Sequence, residues 1–238
     1  LISLAGIVVA VIISVYLILA SYDFNSLKPT VASAVKEVTG RNLEIGGDIE
    51  VSPGLTPSLV VSDVSFENAP WGSRPNLATI KRLEVQVSLL PLLKKNIEVK
   101  RFILMEPDIL VETSRNGKLN VVLDKTSAPV GKKKREETTG EGPMALPALS
   151  MEEFLVENGT FTYKAFDSEE THTARINRLK AISEGMDSPV RASLDAVYKK
   201  APIRLDAQLG SPSAALDPEK DWVLNLRINA LGIESDVK

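Results

Sequence analysis

The hydrophobic pattern changes period as the chain proceeds. Residues 1–20 carry no charge, and thirteen of them are Leu, Ile or Val. A helix of that length spans roughly 30 Å, the thickness of a bilayer's hydrocarbon core. A cleaved signal needs a shorter apolar run and small residues at alternate positions before the cut; Ile18-Leu19-Ala20 places a bulky Ile there instead. Segment 1–22 is therefore read as an uncleaved transmembrane anchor. Beyond it, SLKPTVASAVKEVTG sets Leu27, Val31, Ala34, Val35 and Val38 at helical spacing, with Ser26 as N-cap, Pro29 in the first turn and Gly40 as the stop. This short amphipathic helix is expected to pack its apolar side on the sheet that follows. The other reading rests it on a membrane surface, for which two Lys are few.

From residue 41 the period becomes two. LEVQVSL places Leu83, Val85, Val87 and Leu89 on one side and Glu84, Gln86 and Ser88 on the other. PIRLDAQLG repeats the pattern with Ile203, Leu205, Ala207 and Leu209, and VLNLRINAL with Leu224, Leu226, Ile228 and Ala230. SRNGK reads as a hairpin joining PDILVET to LNVVL through Asn116-Gly117. Gly46-Gly47 is either a tight turn or a bulge. IEVKRFILMEPDILVE and LSMEEFLVENGTFTYK align without gaps, Phe102 with Phe154 and Pro107 with Gly159, as a weak repeat of strand, turn and strand. The pattern thus predicts antiparallel strands, apolar on one face and polar on the other. It leaves two architectures open: apolar faces packed together in a sandwich, or lining a trough.

Two segments interrupt the strands. LLPLLKKN, residues 89–96, reads as a short helical crossover whose Leu residues cover a sheet edge. Residues 126–148, TSAPVGKKKREETTGEGPMALPA, bury too little to offset their ordering entropy and read as a flexible linker. The expected division is an anchor at 1–22, a first β segment at 23–125, the linker at 126–148, and a second β segment at 149–238.

Charge and chemistry narrow the function by exclusion. Twenty-eight basic residues against thirty-one acidic ones give a net charge of −3, without the basic stripe of a nucleic-acid footprint. No cysteine is present, which excludes disulfides and thiolate metal sites. His172 is the one histidine, so neither a His-based triad nor a multi-His metal site is expected. Asp167, Glu169 and Glu170 lack calcium-loop spacing and read as a hairpin tip. Asn158-Gly159-Thr160 matches a glycosylation tripeptide that is frequent by chance. No enzyme, cofactor or metal is expected.

The order of short motifs resembles the N-terminal part of the AsmA family. These are Thr39-Gly40-Arg41 with Gly47-Asp48, Asn68-Ala69-Pro70-Trp71, Leu89 to Leu93, Pro107-Asp108-Ile109, and Gly117 before Asn120, with VENGTFTYKAFDSEE and APIRLDAQLGSPSAAL further on. Where many relatives have Asn-Trp after the hairpin glycine, this chain has Asn120-Val121. The resemblance implies a single-pass bacterial inner-membrane protein with its bulk in the periplasm, related to chorein-type bridges with a curved, apolar-floored β-groove. It implies phospholipid handling in outer-membrane homeostasis, and a chain that is the N-terminal part of something longer. The implied partners are phospholipid, the inner membrane through residues 1–20, and outer-membrane or periplasmic assembly proteins. A scaffold acting by strand addition is the alternative function. The candidate groove lining is Val85, Val87, Leu89, Ile97, Val99, Ile109 and Val111 in the first segment. In the second it is Ile203, Leu205, Leu209, Leu224, Leu226 and Ile228. Trp71, in FENAPWGSRPN, matches a family connection between strands and is expected to cap it by packing.

Overall fold

A computed structural model describes residues 22–93, 98–123, 150–168, 170–215, 217, 223–230 and 233–237. The predicted anchor (but for Tyr22), Ile97 and the linker lie outside the described residues. A 3-10 turn, Phe24–Leu27, precedes α1, Lys28–Thr39. Asp23 caps the turn by accepting from the Asn25 N–H, while Ser26 only donates its hydroxyl to Asp23, so the predicted Ser26 cap is corrected. Pro29 does fall in the first turn of α1, and Gly40 ends it at φ 72°. No helix among the described residues is long and apolar enough to cross a membrane.

Eleven strands follow: β1 Leu43–Ile45, β2 Ile49–Ser52, β3 Ser58–Glu67, β4 Asn76–Val87, β5 Glu98–Glu112, β6 Ser150–Lys164, β7 Thr171–Ile182, β8 Val190–Tyr198, β9 Ala201–Leu209, β10 Leu224–Ala230 and β11 Ile233–Val237. All belong to one curved open sheet in the order β1-β3-β4-β5-β6-β7-β8-β9-β10-β11, with β2 paired to the other half of β3. Among the described residues there is no second sheet for the first to pack on, so the sandwich alternative falls away. Gly46 and Gly47 donate to the carbonyls of Asp63 and Ser62, which keeps β1 and β2 on the same neighbour; the pair is a bulge, not a turn. A Cβ on Gly47 would lie 2.7 Å from the Ser62 Cβ, which is why the close approach takes glycine.

Three expectations are corrected. First, the sheet is not wholly antiparallel, because β5 and β6 run parallel. Parallel neighbours need a long connection, and the chain between Glu112 and Ser150 supplies it. Second, PDILVET and the residues before it form one continuous strand, and LNVVL forms none; the Gly117 turn closes only a single bridge, Thr113 to Leu119. Third, β4 ends at Val87. Leu89 opens a five-residue helix, α2, Leu89–Leu93, that links antiparallel neighbours rather than crossing over. Leu89 and Leu90 are exposed, so they do not cover a sheet edge.

A transverse line of irregular residues breaks the alternation. Asp63, Glu106 and Asn158 have φ of 50°, 49° and 55°, and the register sets them in line with Lys81 on β4. The line ends at Asn177, where β7 shifts against β8. Each of β3 to β7 holds one additional residue here, which bends a strand and reverses its side-chain parity. Apolar residues on one face are then three apart instead of two: Val61 and Val64, Ile80 and Leu83, Leu104 and Pro107, Val156 and Gly159, Ile176 and Leu179. Val61, Val64, Ile80 and Leu83 indeed share one cluster with Ile49, Leu43, Ile45 and Phe24.

Candidate functional site

Registered pairing joins apolar side chains into rows across the sheet. One row runs Val61, Leu83, Leu104, Val156, Leu179, Leu194, Leu205 and Ile228, from β3 to β10, each directly paired with the next. The neighbouring row is Leu59, Val85, Phe102, Phe154, Ala181, Ala192, Ala207 and Leu226. At about 4.8 Å between strands, seven steps make roughly 34 Å of uninterrupted apolar surface. Directly paired residues point to the same side of a sheet, so this surface is one face.

Most of the predicted lining residues are gathered on it. Val85 and Val87 lie there from β4, Ile109 and Val111 from β5, Ile203, Leu205 and Leu209 from β9, and Leu224, Leu226 and Ile228 from β10. Val99 pairs with Val87 on the same face but is only 5% exposed, so it belongs to the packed part and not to an accessible lining. Leu89 is not on the face, since the strand has ended before it. Ile97 is outside the described residues. The periodicity missed Leu104, Val156, Leu179 and Leu194, as well as the phenylalanine pair. For Leu104, Val156 and Leu179 the signal was present as a three-residue spacing around a polar residue, which a strict period of two rejects; Leu194 lies in a regular alternation, VRASLDAVY. On this face Phe24 packs over Ile49, Val61 and Val64; Val61, Leu104 and Val156 are buried, whereas Val85, Phe102 and Phe154 are half-buried, as are Leu179, Leu194, Leu205 and Ile228 on β7 to β10.

The opposite face is mostly polar and tied by ion pairs, with Val60, Ile103 and Leu155 as buried apolar exceptions on β3, β5 and β6. Glu153 sits between Arg101 at 2.8 Å and Lys180 at 3.0 Å, linking β5, β6 and β7. The Lys180 hydrogen bond, with help from Arg101, holds the Glu153 carboxyl below its ordinary range despite partial burial. Arg204 and Asp195, 3.4 Å apart, continue the network, and Lys100 pairs with Glu152. Open depressions of about 700 Å³ and 540 Å³ lie on this polar side, the first bordered by Lys180, Arg191, Asp206 and Gln208.

At one end of the strands the 68–76 reversal is fixed by a buried polar cluster. The Asn120 amide donates to Asn68 Oδ1 and to the Leu110 carbonyl, each at 2.9 Å, and accepts from the Glu112 N–H at 2.8 Å. Glu112 Oε2 accepts from Ser73 N–H at 2.9 Å and from Asn68 Nδ2 at 3.1 Å. Burial alone would raise the Glu112 pKa; the Ser73 and Asn68 hydrogen bonds and the Lys164 charge outweigh it, and the net shift is downward. Trp71 is 42% exposed, so the packing cap expected of it is not found, and buried amides fix this reversal. Further along the same edge, His172 Nδ1 lies 2.6 Å from the Tyr198 hydroxyl, next to the Tyr163 ring. Asp167 and Glu170 do lie in the β6–β7 turn.

A family model described as the AsmA family matches residues 1–215. This chain belongs to the AsmA family. Among curated proteins none matches it significantly. AsmA membership places the chain in a family generally associated with the bacterial envelope, and suggests involvement in outer-membrane and lipid homeostasis on a β-sheet fold.

Proposed function

We propose that this AsmA-family chain is a non-enzymatic, inner-membrane-anchored periplasmic protein that holds phospholipid acyl chains on the apolar face of its sheet and conducts them towards the outer membrane. One observation carries the reading: the face is apolar without interruption over eight strands and stays half-exposed from β7 to β10. Exposed apolar surface of that extent on a folded chain marks an interaction site. Acyl chains match it chemically, because burying one of some fifteen methylenes is worth about 12 kcal/mol at 0.8 kcal/mol per CH₂. They also match it in length: each leaflet contributes about half of the roughly 30 Å hydrocarbon core, well within the rows. The polar face, laced by Arg101, Glu153 and Lys180, keeps the other side in water.

A photo-crosslinking amino acid at Leu205 or Leu226 should capture phospholipid from cells, whereas one at Gln208 or Arg227, which the register places on the opposite side, should not. Leu205→Asp should abolish capture while the sheet stays folded, because an open face hydrates a carboxylate that a sealed core cannot. Capture of protein alone from the apolar face would replace this reading with an assembly scaffold.

A further inference from the structure

The helix α1 is amphipathic in two directions. Its side chains at 28, 32, 35 and 39 are the less exposed ones and form the stripe turned towards the rest of the fold. A second stripe, Leu27, Val31, Ala34 and Val38, lies about 100° around the helix at positions i, i+4, i+7 and i+11. Leu27, Val31 and Val38 are 37%, 38% and 60% exposed, and no residue of α1 is buried. The expectation that this whole apolar side packs on the sheet is therefore corrected: Val35 turns inward with Ala32, and the rest faces outward.

What precedes α1 is held firmly to the sheet. Phe24 packs in the cluster of Ile49, Val61 and Val64, and Asn25 Oδ1 accepts from the Ile49 N–H at 3.0 Å. Asp23 caps that turn through the Asn25 N–H at 3.0 Å. Only Ser21 and Tyr22 separate it from the uncharged residues 1–20. Two residues reach at most about 10 Å between flanking Cα atoms. Tyr22 is exposed and meets the Phe24 ring edge-on at 4.9 Å, the place and type of side chain favoured at a membrane–water boundary.

We infer that the Leu27, Val31, Ala34 and Val38 stripe is a membrane-docking surface, lying on the bilayer next to the point where the chain leaves it. The inference rests on the reading of residues 1–20 as an anchor. That anchor explains why two Lys suffice: the tether fixes the local concentration of lipid, so the stripe does not need electrostatic attraction to find the membrane. Docking through this stripe sets the orientation of the whole sheet, because the turn before α1 and strand β2 are hydrogen-bonded together. It holds β1 and β2, beside the β3 end of the apolar rows, at the membrane surface.

The cysteine-free sequence makes the test direct. Full-length protein carrying Val31→Cys or Val38→Cys, labelled with an environment-sensitive fluorophore, is reconstituted into phosphatidylethanolamine–phosphatidylglycerol vesicles. Ser33→Cys and Lys36→Cys, on the opposite side of α1, serve as references. Labels at 31 and 38 should be quenched by lipids bearing a nitroxide near the headgroup, and quenched about threefold less by aqueous iodide than the references. Equal iodide quenching at all four sites, with the chain still in the vesicles after an alkaline wash, would overturn the docking surface and leave the anchor intact. Release of the chain by the alkaline wash would overturn the anchor, and the inference with it.

Discussion

Phe102 of β5 and Phe154 of β6 are directly paired, and their rings stack with centroids 5.9 Å apart and planes inclined by 16°. The same two residues fall together in the gapless alignment of the two repeat-like segments. The alignment offset is also the register of the parallel pair, which holds Pro107 next to Gly159 as well. Related segments have similar side chains at matching positions, and parallel pairing in register puts like beside like. The pair therefore carries the apolar rows across the junction between the segments on either side of residues 126–148.

Truncating either ring should weaken that junction. Each is half-buried, so Phe102→Ala and Phe154→Ala should each cost about 2 kcal/mol, roughly half a core Phe truncation. The double variant should cost less than the sum by about 1 kcal/mol, the coupling expected of a stacked aromatic pair. Urea unfolding of the four proteins measures this directly, and additivity would show that the stacking contributes nothing beyond burial.

Asn120 should be among the most sensitive positions outside the apolar face. It is fully buried, and its loss takes one hydrogen bond each from Asn68 Oδ1, the Leu110 carbonyl and the Glu112 N–H. Asn120→Ala should lower stability by about 2–4 kcal/mol, seen as a shift of the urea midpoint at unchanged slope. The Trp71→Ala variant, at an exposed position of the same reversal, should stay within about 0.5 kcal/mol of the parent.

The same cluster predicts a pH dependence. Glu112 titrates below its ordinary 4.5 in the folded chain. A carboxyl with a depressed folded pKa contributes its full stability above the unfolded pKa and loses it as pH falls through the folded value. Stability should therefore fall below about pH 4.5, and Glu112→Gln should flatten that part of the profile while lowering stability at neutral pH. Glu153, also depressed, adds a parallel slope that Glu112→Gln leaves in place. Thermal unfolding between pH 3 and 7 separates the two; an unchanged slope in the Gln variant would remove Glu112 from the account.

The line of left-handed residues offers a stabilising substitution. Glu106 at φ 49° has a side chain ill suited to that conformation, and its ion pair with Lys81 is exposed and worth little. Glu106→Gly should raise stability by about 1 kcal/mol, and Asn158→Gly by less, because Asn tolerates the left-handed region better. In contrast, Gly159→Ala should destabilise. Its Cβ would meet Pro107 Cγ and Val156 Cγ1 at 3.1 Å each. Calorimetric unfolding temperatures would rank the three, and a gain from Gly159→Ala would mean that Pro107 yields easily.

The sequence by itself determined the strands that read as a strict period of two, the first-turn proline and the glycine stop of α1 at Pro29 and Gly40, and the side on which Leu205, Leu226 and Ile228 lie. These are local properties: a pleat sends successive side chains to opposite faces whatever its neighbours do. Tertiary structure decided what depends on partners distant in the chain. The parallel direction of β5 and β6 is set by pairing, which no window of sequence contains. The added residue at Asp63, Glu106 and Asn158 is tolerated because neighbouring strands carry one in the same line, so register survives while parity flips. That flip is why Leu104, Val156 and Leu179 escaped the alternation. Asn68 finds Glu112 and Asn120 only once β3 and β5 are placed, and that placement moved the fixing of the reversal from the aromatic Trp71 to buried amides. Whether an apolar face meets a second layer or stays open is likewise a matter of how many sheets the strands make, and here their pairing makes one.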